Sequence, residues 1–206
     1  FNNFEIIIVD NNSTDKTLEK AKQYNIKKIV KIKEYLPGKA LNIGIEKSNG
    51  EYIVCISAHC IPKDNYWLKN LVSALEESDQ YAGVYGRQEP MSFSSPADKR
   101  DLMLVFGLDR KTQVKDSFFH NANSIFRRDL WEEVPFDAET TNIEDRLWAQ
   151  KMLNIGYKIL YEPDAIVYHY HGIHQDGNHV RLTNVVRIIQ DLNSDTSHTG
   201  KIEGKK

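Results

Sequence analysis

The side chains able to do chemistry fall into short clusters. Asp10-Asn11-Asn12-Ser13-Thr14-Asp15 follows an apolar run and ends it with carboxylates and amides. A carboxylate there accepts hydrogen bonds from a base N–H or a ribose hydroxyl, donors that need an acceptor once water is removed. Asp10 and Asp15 serve equally well as caps of a turn and a helix. Gly38-Lys39-Ala40-Leu41-Asn42 opens a helical pattern, where unpaired N–H groups and the macrodipole favour an anion such as a diphosphate beside Lys39 and Asn42. The alternative there is a Pro37-Gly38 turn with a solvated Lys39. A Walker loop is excluded, because its first Gly and the Ser or Thr after the Lys are both absent. His169 and His171 are separated by one residue, so in a strand both fall on one face, with His174 and His179 close behind. Such clustering suits a metal site, and ordinary hydrogen bonding suits it as well. Phe119-His120-Asn121-Ala122-Asn123-Ser124 sets a His and two amides among aromatics, an arrangement fit for sugar hydroxyls through His120, Asn121 and Asn123. Arg87 or Arg100 can pair with phosphate, or all of these can form a polar network supporting a loop.

The elements that must hold these groups alternate. Glu5 to Val9 reads as a strand covered on both faces, with Ser13 or Thr14 capping a helix from about Asp15 to Tyr24. Strands at Lys28 to Ile32 and Glu51 to Ile56 flank a helix from Ala40 to Lys47 that stops before Asn49-Gly50. A helix at Tyr66 to Glu77 and a short strand at Ala82 to Tyr85 follow. Asp98 to Phe106 reads as helical, Gly107 to Asp116 as a mobile polar loop, and Ser117 to Phe126 as a strand. Asn142 to Asn154 is a helix ended by Gly156, then Tyr157 to Tyr161 and Ala165 to Tyr170 return to strand, and Val180 to Leu192 is a last helix. Such βαβ alternation predicts an α/β domain with a mostly parallel sheet, whose ligands bind beyond the carboxyl ends of the strands. The Asp10 to Asp15 cluster and Ser57-Ala58-His59 both stand at such ends. One crevice lined by both is expected.

Composition narrows the classes. With 27 Lys+Arg against 29 Asp+Glu and a net charge of −2, the chain lacks the basic footprint of a nucleic-acid binder. Its 40% apolar and 27% charged residues suit a folded globular domain. Apolar runs such as Ile6 to Val9 are far short of a transmembrane segment, and no signal peptide is visible. Cys55 and Cys60 read as two reduced thiols. These features predict a cytoplasmic protein, with a peripheral place at the inner face of the membrane as a further option.

Val9 to Asp15, Gly38 to Gly44, Ser57-Ala58-His59 after a strand, and Glu144-Asp145 opening a helix resemble, in order and separation, the inverting family 2 glycosyltransferases of the GT-A fold. The resemblance spans nearly the whole chain. It implies a GT-A, Rossmann-like domain over residues 1–192, followed by a polar flexible tail at 193–206. The family's first strand and its Pro-Thr-x-Asn-like segment are absent here, so an N-terminally truncated chain is expected. The resemblance implies a nucleotide-sugar donor held by Asp10, Asn12, Asp15, Lys39, Asn42 and Ser57. Arg87, His120, Asn121 and Asn123 are assigned to the sugar or to a carbohydrate or lipid-linked glycan acceptor. Ser57-Ala58-His59 replaces the family's Asp-x-Asp, leaving His59, with His169 or His171, to hold Mn²⁺ or Mg²⁺; imidazole suits these ions less well than carboxylate oxygen. Asp145 carries over as general base and Glu144 as its neighbour; either acid also fits a helix start stabilised by the dipole. A metal-dependent hydrolase or nucleotidyltransferase built on the His169, His171 and His174 cluster, and a binding module that has lost catalysis, are the competing readings.

Overall fold

The computed structural model describes residues 3–140 and 142–170. The expected helix at 180–192, His171, His174, His179 and the 193–206 tail lie outside the described residues. Two strands, β1 (Ile7–Asp10) and β2 (Lys28–Lys31), pair in parallel, joined through helix α1 (Thr17–Ala21). Helix α2 (Pro37–Glu46) packs on β1 so closely that a Cβ on Gly44 would come within 2.8 Å of the Val9 side chain. After α2 come β3 (Tyr52–Ile56), β4 (Cys60–Pro62), α3 (Trp67–Glu76), β5 (Tyr81–Pro90), α4 (Pro96–Val105) and β6 (Lys111–Gln113). They are followed by β7 (Asn123–Arg127), α5 (Arg128–Glu133), α6 (Glu144–Asn154) and β8 (Lys158–His169).

The second sheet has the order β3-β7-β5-β8-β4, with β6 added on β8. β5 and β8 are parallel, while β7 is antiparallel to both β3 and β5, so β3, β5 and β8 run the same way. The remaining two strands, β4 and β6, are three residues each and run against β8. The expected α/β architecture is present, its parallel character residing in β1 and β2 and in the shared direction of β3, β5 and β8. Among the described residues β1 and β3 each pair on one side only.

Period-2 alternation sorts the side chains to two faces. Val84, Ile125 and Leu160 meet Leu71, Val72 and Leu75 of α3 on one face. Tyr85, Phe126, Ile159 and Tyr161 meet Leu102 and Phe106 of α4, Leu130 and Trp131 of α5 and Trp148 and Met152 of α6 on the other. Three layers result, with the sheet in the middle.

Several sequence expectations are corrected. Ser13 and Thr14 do not cap α1, whose N-cap position is Lys16; the Asp15 carboxylate just before it accepts from the Thr17 N–H at 2.9 Å. The stretch Gly107 to Asp116 is not all loop, since Lys111 to Gln113 add a strand to β8. The strand expected from Ser117 begins only at Asn123, because side chains take the backbone groups before it: Asp116 accepts from Phe118 N–H, and the His120 ring accepts from Ala122 N–H. The two strands expected at the end are one, β8, carrying a bulge at residues 162–167 opposite Gly86 to Gln88. The bulge requires Gly86, where a Cβ would stand 2.1 Å from the Ala165 carbonyl oxygen. Strand β4 and helix α5 had no sequence expectation.

Candidate active site

The turn between β3 and β4 builds the centre of the site. Ser57 N–H donates to Ala122 O at 3.2 Å and Cys60 N–H to Ser57 O at 2.9 Å, a tight reversal that brings Cys60 into register with His169 of β8. Across that pairing the His59 and His169 rings stack face to face, 4.7 Å apart and 13° from parallel. His169 is buried and fixed, its Nδ1 hydrogen bonded to Gln88 Oε1 at 2.6 Å. Because an amide oxygen only accepts, Nδ1 donates to Gln88, which leaves Nε2 as the nitrogen a neutral imidazole would offer to a ligand. The His120 ring stands edge-on at 6.4 Å from His169.

From His120 the chain leads to the acid pair. The Asn121 N–H donates to Asp145 Oδ2 at 3.2 Å, and the Arg146 N–H donates to Oδ1 at 2.8 Å. Asp145 and Glu144 are both buried at the first turn of α6. Beneath them lies Cys55 of β3, whose thiol is pushed up to about 12 by burial first and then by the charges of Glu144 and Asp145. Beside them lies α2: a Cβ on Gly38 would stand 3.3 Å from the Glu144 Cβ and 1.8 Å from the Asp137 carbonyl oxygen. Glycine is what lets the start of α2 meet the segment leading into α6.

The remaining expected residues divide. Asp10 is buried at the end of β1, its carboxylate accepting from the Ser13 N–H at 3.2 Å and 3.3 Å. Asn12, at positive φ, donates to Ile32 O at 3.2 Å. Asp15 accepts from Thr17 at the start of α1, and the Thr17 hydroxyl and N–H hold its carboxyl below the ordinary range. Lys39 pairs with Glu34 at 3.0 Å on the surface, a contact weak enough to exchange for a ligand. Asn42 is engaged inside: its amide donates to Phe136 O at 2.8 Å, and its oxygen accepts from the Trp131 indole at 2.9 Å and from Phe136 N–H at 3.2 Å. Asn123 is wholly buried, accepting from the Trp67 indole and donating to Arg87 O and Ala165 O. These two amides thus stitch the layers together and are not presented to the crevice. Arg87 reaches Glu89 at 3.4 Å. The structure therefore brings His59, His169, His120, Asn121, Asp145 and Glu144 into one continuous patch. Sequence reasoning missed Gln88 as the orienter of His169 and Cys55 as the floor under the acids; neither carries a spacing signal.

A divalent ion fits this patch in donor type only. His169 and His59 offer two imidazoles, stacked 4.7 Å apart. Among the described residues no group of three or more His, Cys, Asp and Glu is arranged around one point.

Residues 1–134 match the sequence profile of Glycosyl transferase family 2. The chain belongs to that family. Within Glycosyl transferase family 2 it is similar to the O-antigen chain rhamnosyltransferase RfbN of Salmonella typhimurium, 27% identical over 181 residues that cover 82% of this chain and 57% of that protein. It is likewise 27% identical over 185 residues to the dolichyl N-acetyl-alpha-D-glucosaminyl phosphate 3-beta-D-2,3-diacetamido-2,3-dideoxy-beta-D-glucuronosyltransferase of Methanococcus voltae, with 82% of this chain and 57% of that protein covered. The mannosyltransferase PcManGT of Pyrobaculum calidifontis, solved in complex with GDP-Man and Mn²⁺, superposes with a TM-score of 0.67 at 19% identity, over 96% of this chain and 56% of that one. That likeness shows the fold. The chain thus spans a little over half the length of the curated relatives it matches. Among the described residues no helix is long and apolar enough to cross a membrane.

Proposed function

We propose that this chain carries the catalytic unit of a glycosyltransferase that moves a sugar from a nucleoside-diphosphate donor to a hydroxyl of a carbohydrate or lipid-linked glycan, with inversion, in polysaccharide or glycoconjugate synthesis on the cytoplasmic side. The observation that carries the reading is the placement of Asp145: a buried carboxylate, held at both oxygens by backbone N–H groups, on the same patch as the imidazole pair. A carboxylate so fixed can take the proton of an acceptor hydroxyl as its oxygen attacks the anomeric carbon. Attack from the face opposite the leaving diphosphate inverts that carbon. The donor's nucleoside is assigned to Asp10, Asn12 and Asp15, its diphosphate to Lys39, Ser57 and the start of α2, and the transferred sugar to His120, Asn121 and Arg87. Asn42 and Asn123 support those surfaces from inside. Ser57-Ala58-His59 stands in place of the family's Asp-x-Asp; His59 and His169, with His171 as the further candidate, would hold a divalent cation, which neutralises diphosphate charge when bound. The names of the two curated relatives, one acting on O-antigen chains and one on a dolichyl-linked glycan phosphate, support the acceptor class. The GDP-Man and Mn²⁺ of the mannosyltransferase support donor and metal. Membership in a transferase family favours sugar transfer over hydrolysis.

The test is a thermal-unfolding screen of the full-length protein against UDP, GDP, dTDP and CMP and their sugars, with and without Mn²⁺. A true ligand at 100 times its Kd adds about 2.7 kcal/mol of apparent stability. One nucleotide class should raise the midpoint, more so with Mn²⁺. No shift with any of them rejects the reading.

A further inference from the structure

A second recess adjoins the acid pair. It encloses about 410 Å³ between the loop after α4, strand β6 and the start of α6. Its floor is Tyr85 and Tyr161, paired in register across β5 and β8 and both buried. Their hydroxyls are already used, Tyr85 donating to Gln113 Oε1 at 2.6 Å and Tyr161 to Gly107 O at 2.7 Å. The floor therefore offers ring surface and no free donor. Phe118 forms a wall, with the Arg146 guanidinium laid over its ring at 4.6 Å.

The charges lining this recess are unequal in what they have left to offer. Lys111 is paired with Asp116 at 3.2 Å, and Asp116 also accepts from the Phe118 N–H. Asp109 is an exposed acid within the lining. Arg146 is half-buried, and among the described residues its guanidinium makes no ion pair and no hydrogen bond. A guanidinium stacked on an aromatic ring keeps its N–H donors in the ring-parallel plane, pointing sideways, where their geometry matches two oxygens of a phosphate or carboxylate. Partial burial raises the cost of leaving those donors unmatched.

Position connects this cation to the chemistry. Arg146 directly follows Asp145, and Phe118 lies three residues before Asn121, whose N–H holds the Asp145 carboxylate. The His120 ring contacts Phe118 at 6.3 Å on one side and His169 at 6.4 Å on the other. The recess and the imidazole patch thus flank Asp145 from two directions. We propose that this recess is the acceptor site and that Arg146 selects an acceptor bearing an oxyanion, a phosphate or a carboxylate, near the hydroxyl to be glycosylated. The proposal rests on the glycosyltransferase reading and gives it a substrate class. With the anion on Arg146 and sugar or alkyl carbons against Phe118 and the tyrosine floor, the acceptor hydroxyl falls on the side of Asp145.

The experiment uses the full-length protein with its nucleotide site saturated by the diphosphate found in the thermal screen. Glycerol 1-phosphate, methyl glucuronide and glycerol are titrated by calorimetry into wild type, Arg146→Gln and Arg146→Lys. One of the anionic probes should bind wild type and glycerol should not; the phosphate and glucuronide arms separate a phosphorylated acceptor from an acidic sugar. Charged hydrogen bonds of this kind are worth roughly 10- to 100-fold in affinity, so Arg146→Gln should lose that much. Arg146→Lys keeps the charge and the fold, loses the fork, and should bind several-fold more weakly than wild type. Nucleoside-diphosphate affinity should be the same in all three. Equal anion binding in the three proteins, equal binding of glycerol, no binding of either anion, or a parallel fall in nucleotide affinity overturns the proposal. Failure of the glycosyltransferase reading would appear separately, as no nucleotide binding to wild type.

Discussion

Replacing Asp145 by Asn changes two quantities whose sizes follow from its contacts. The amide cannot accept a proton, and a general base contributes about 10²- to 10⁴-fold to rate, which is about 2.7–5.4 kcal/mol of barrier. The second effect is structural. Both carboxylate oxygens accept backbone N–H groups, Oδ1 from Arg146 at 2.8 Å and Oδ2 from Asn121 at 3.2 Å. An Asn side chain keeps its oxygen on the shorter bond and turns its NH₂ toward the Asn121 N–H, setting donor against donor in a buried position. Leaving a buried donor unmatched costs about 1–3 kcal/mol, and for a domain of this size each kcal/mol lowers the midpoint by about 2–4 °C. Initial rates at saturating donor, calorimetry with the nucleoside diphosphate and a thermal scan read all three consequences. Turnover should fall at least 100-fold, nucleotide affinity should hold within a few-fold, and the midpoint should drop by several degrees. Near-normal turnover in a variant with the lowered midpoint would refute the base assignment while leaving the geometry intact. Lost nucleotide affinity would show that Asp145 belongs to the donor side.

Further outcomes are expected elsewhere in the chain. His59→Ala should weaken Mn²⁺-dependent nucleotide binding and leave metal-free binding unchanged; an unaltered metal dependence would remove His59 from the ligand set. Gly38→Ala, whose Cβ would meet the Asp137 carbonyl oxygen at 1.8 Å, should cost about 1–3 kcal/mol in urea unfolding, whereas a wild-type midpoint would show that α2 shifts freely. Cys55 and Cys60, each buried and each pushed up to about 12, should resist iodoacetamide at pH 8 in the native protein and react fully in guanidinium, as mass spectrometry would show. Asp137 is held below the usual 3.8 by the Thr140 and Glu139 N–H groups, so its contribution is present above that value and is lost as pH falls through the folded one. Wild type and Asp137→Asn should accordingly differ in urea stability at pH 5 and converge toward pH 2; a constant difference would contradict this.

The legible parts of the sequence were those set by local periodicity. The run Ile7-Ile8-Val9 before Asp10 marks a strand that ends at a polar cluster, and the stretch from Tyr66 to Glu77 marks the helix found as α3. Asp145 and Glu144 could be placed at a helix start because acids there fit the dipole and the family's order of motifs. What escaped depends on distant pairing. β4 is three residues that pair because β8 passes beside them, and no pattern in Cys60-Ile61-Pro62 says so. The roles of Asn42 and Asn123 as internal clamps depend on Trp131, Phe136, Trp67 and Ala165, all remote in sequence. The stacking of His59 on His169 follows from the β4 register, so two histidines that only the resemblance had put together proved to be neighbours.

The central claim is that these residues transfer a sugar with inversion. It is tested most directly by proton NMR of the product formed by the full-length protein from the donor that the thermal screen identifies, incubated with Mn²⁺ and an oxyanion-bearing glycan acceptor. A new glycoside whose anomeric configuration is opposite to that of the donor is the predicted result. A product of retained configuration, or free sugar released with no glycoside formed, would contradict it.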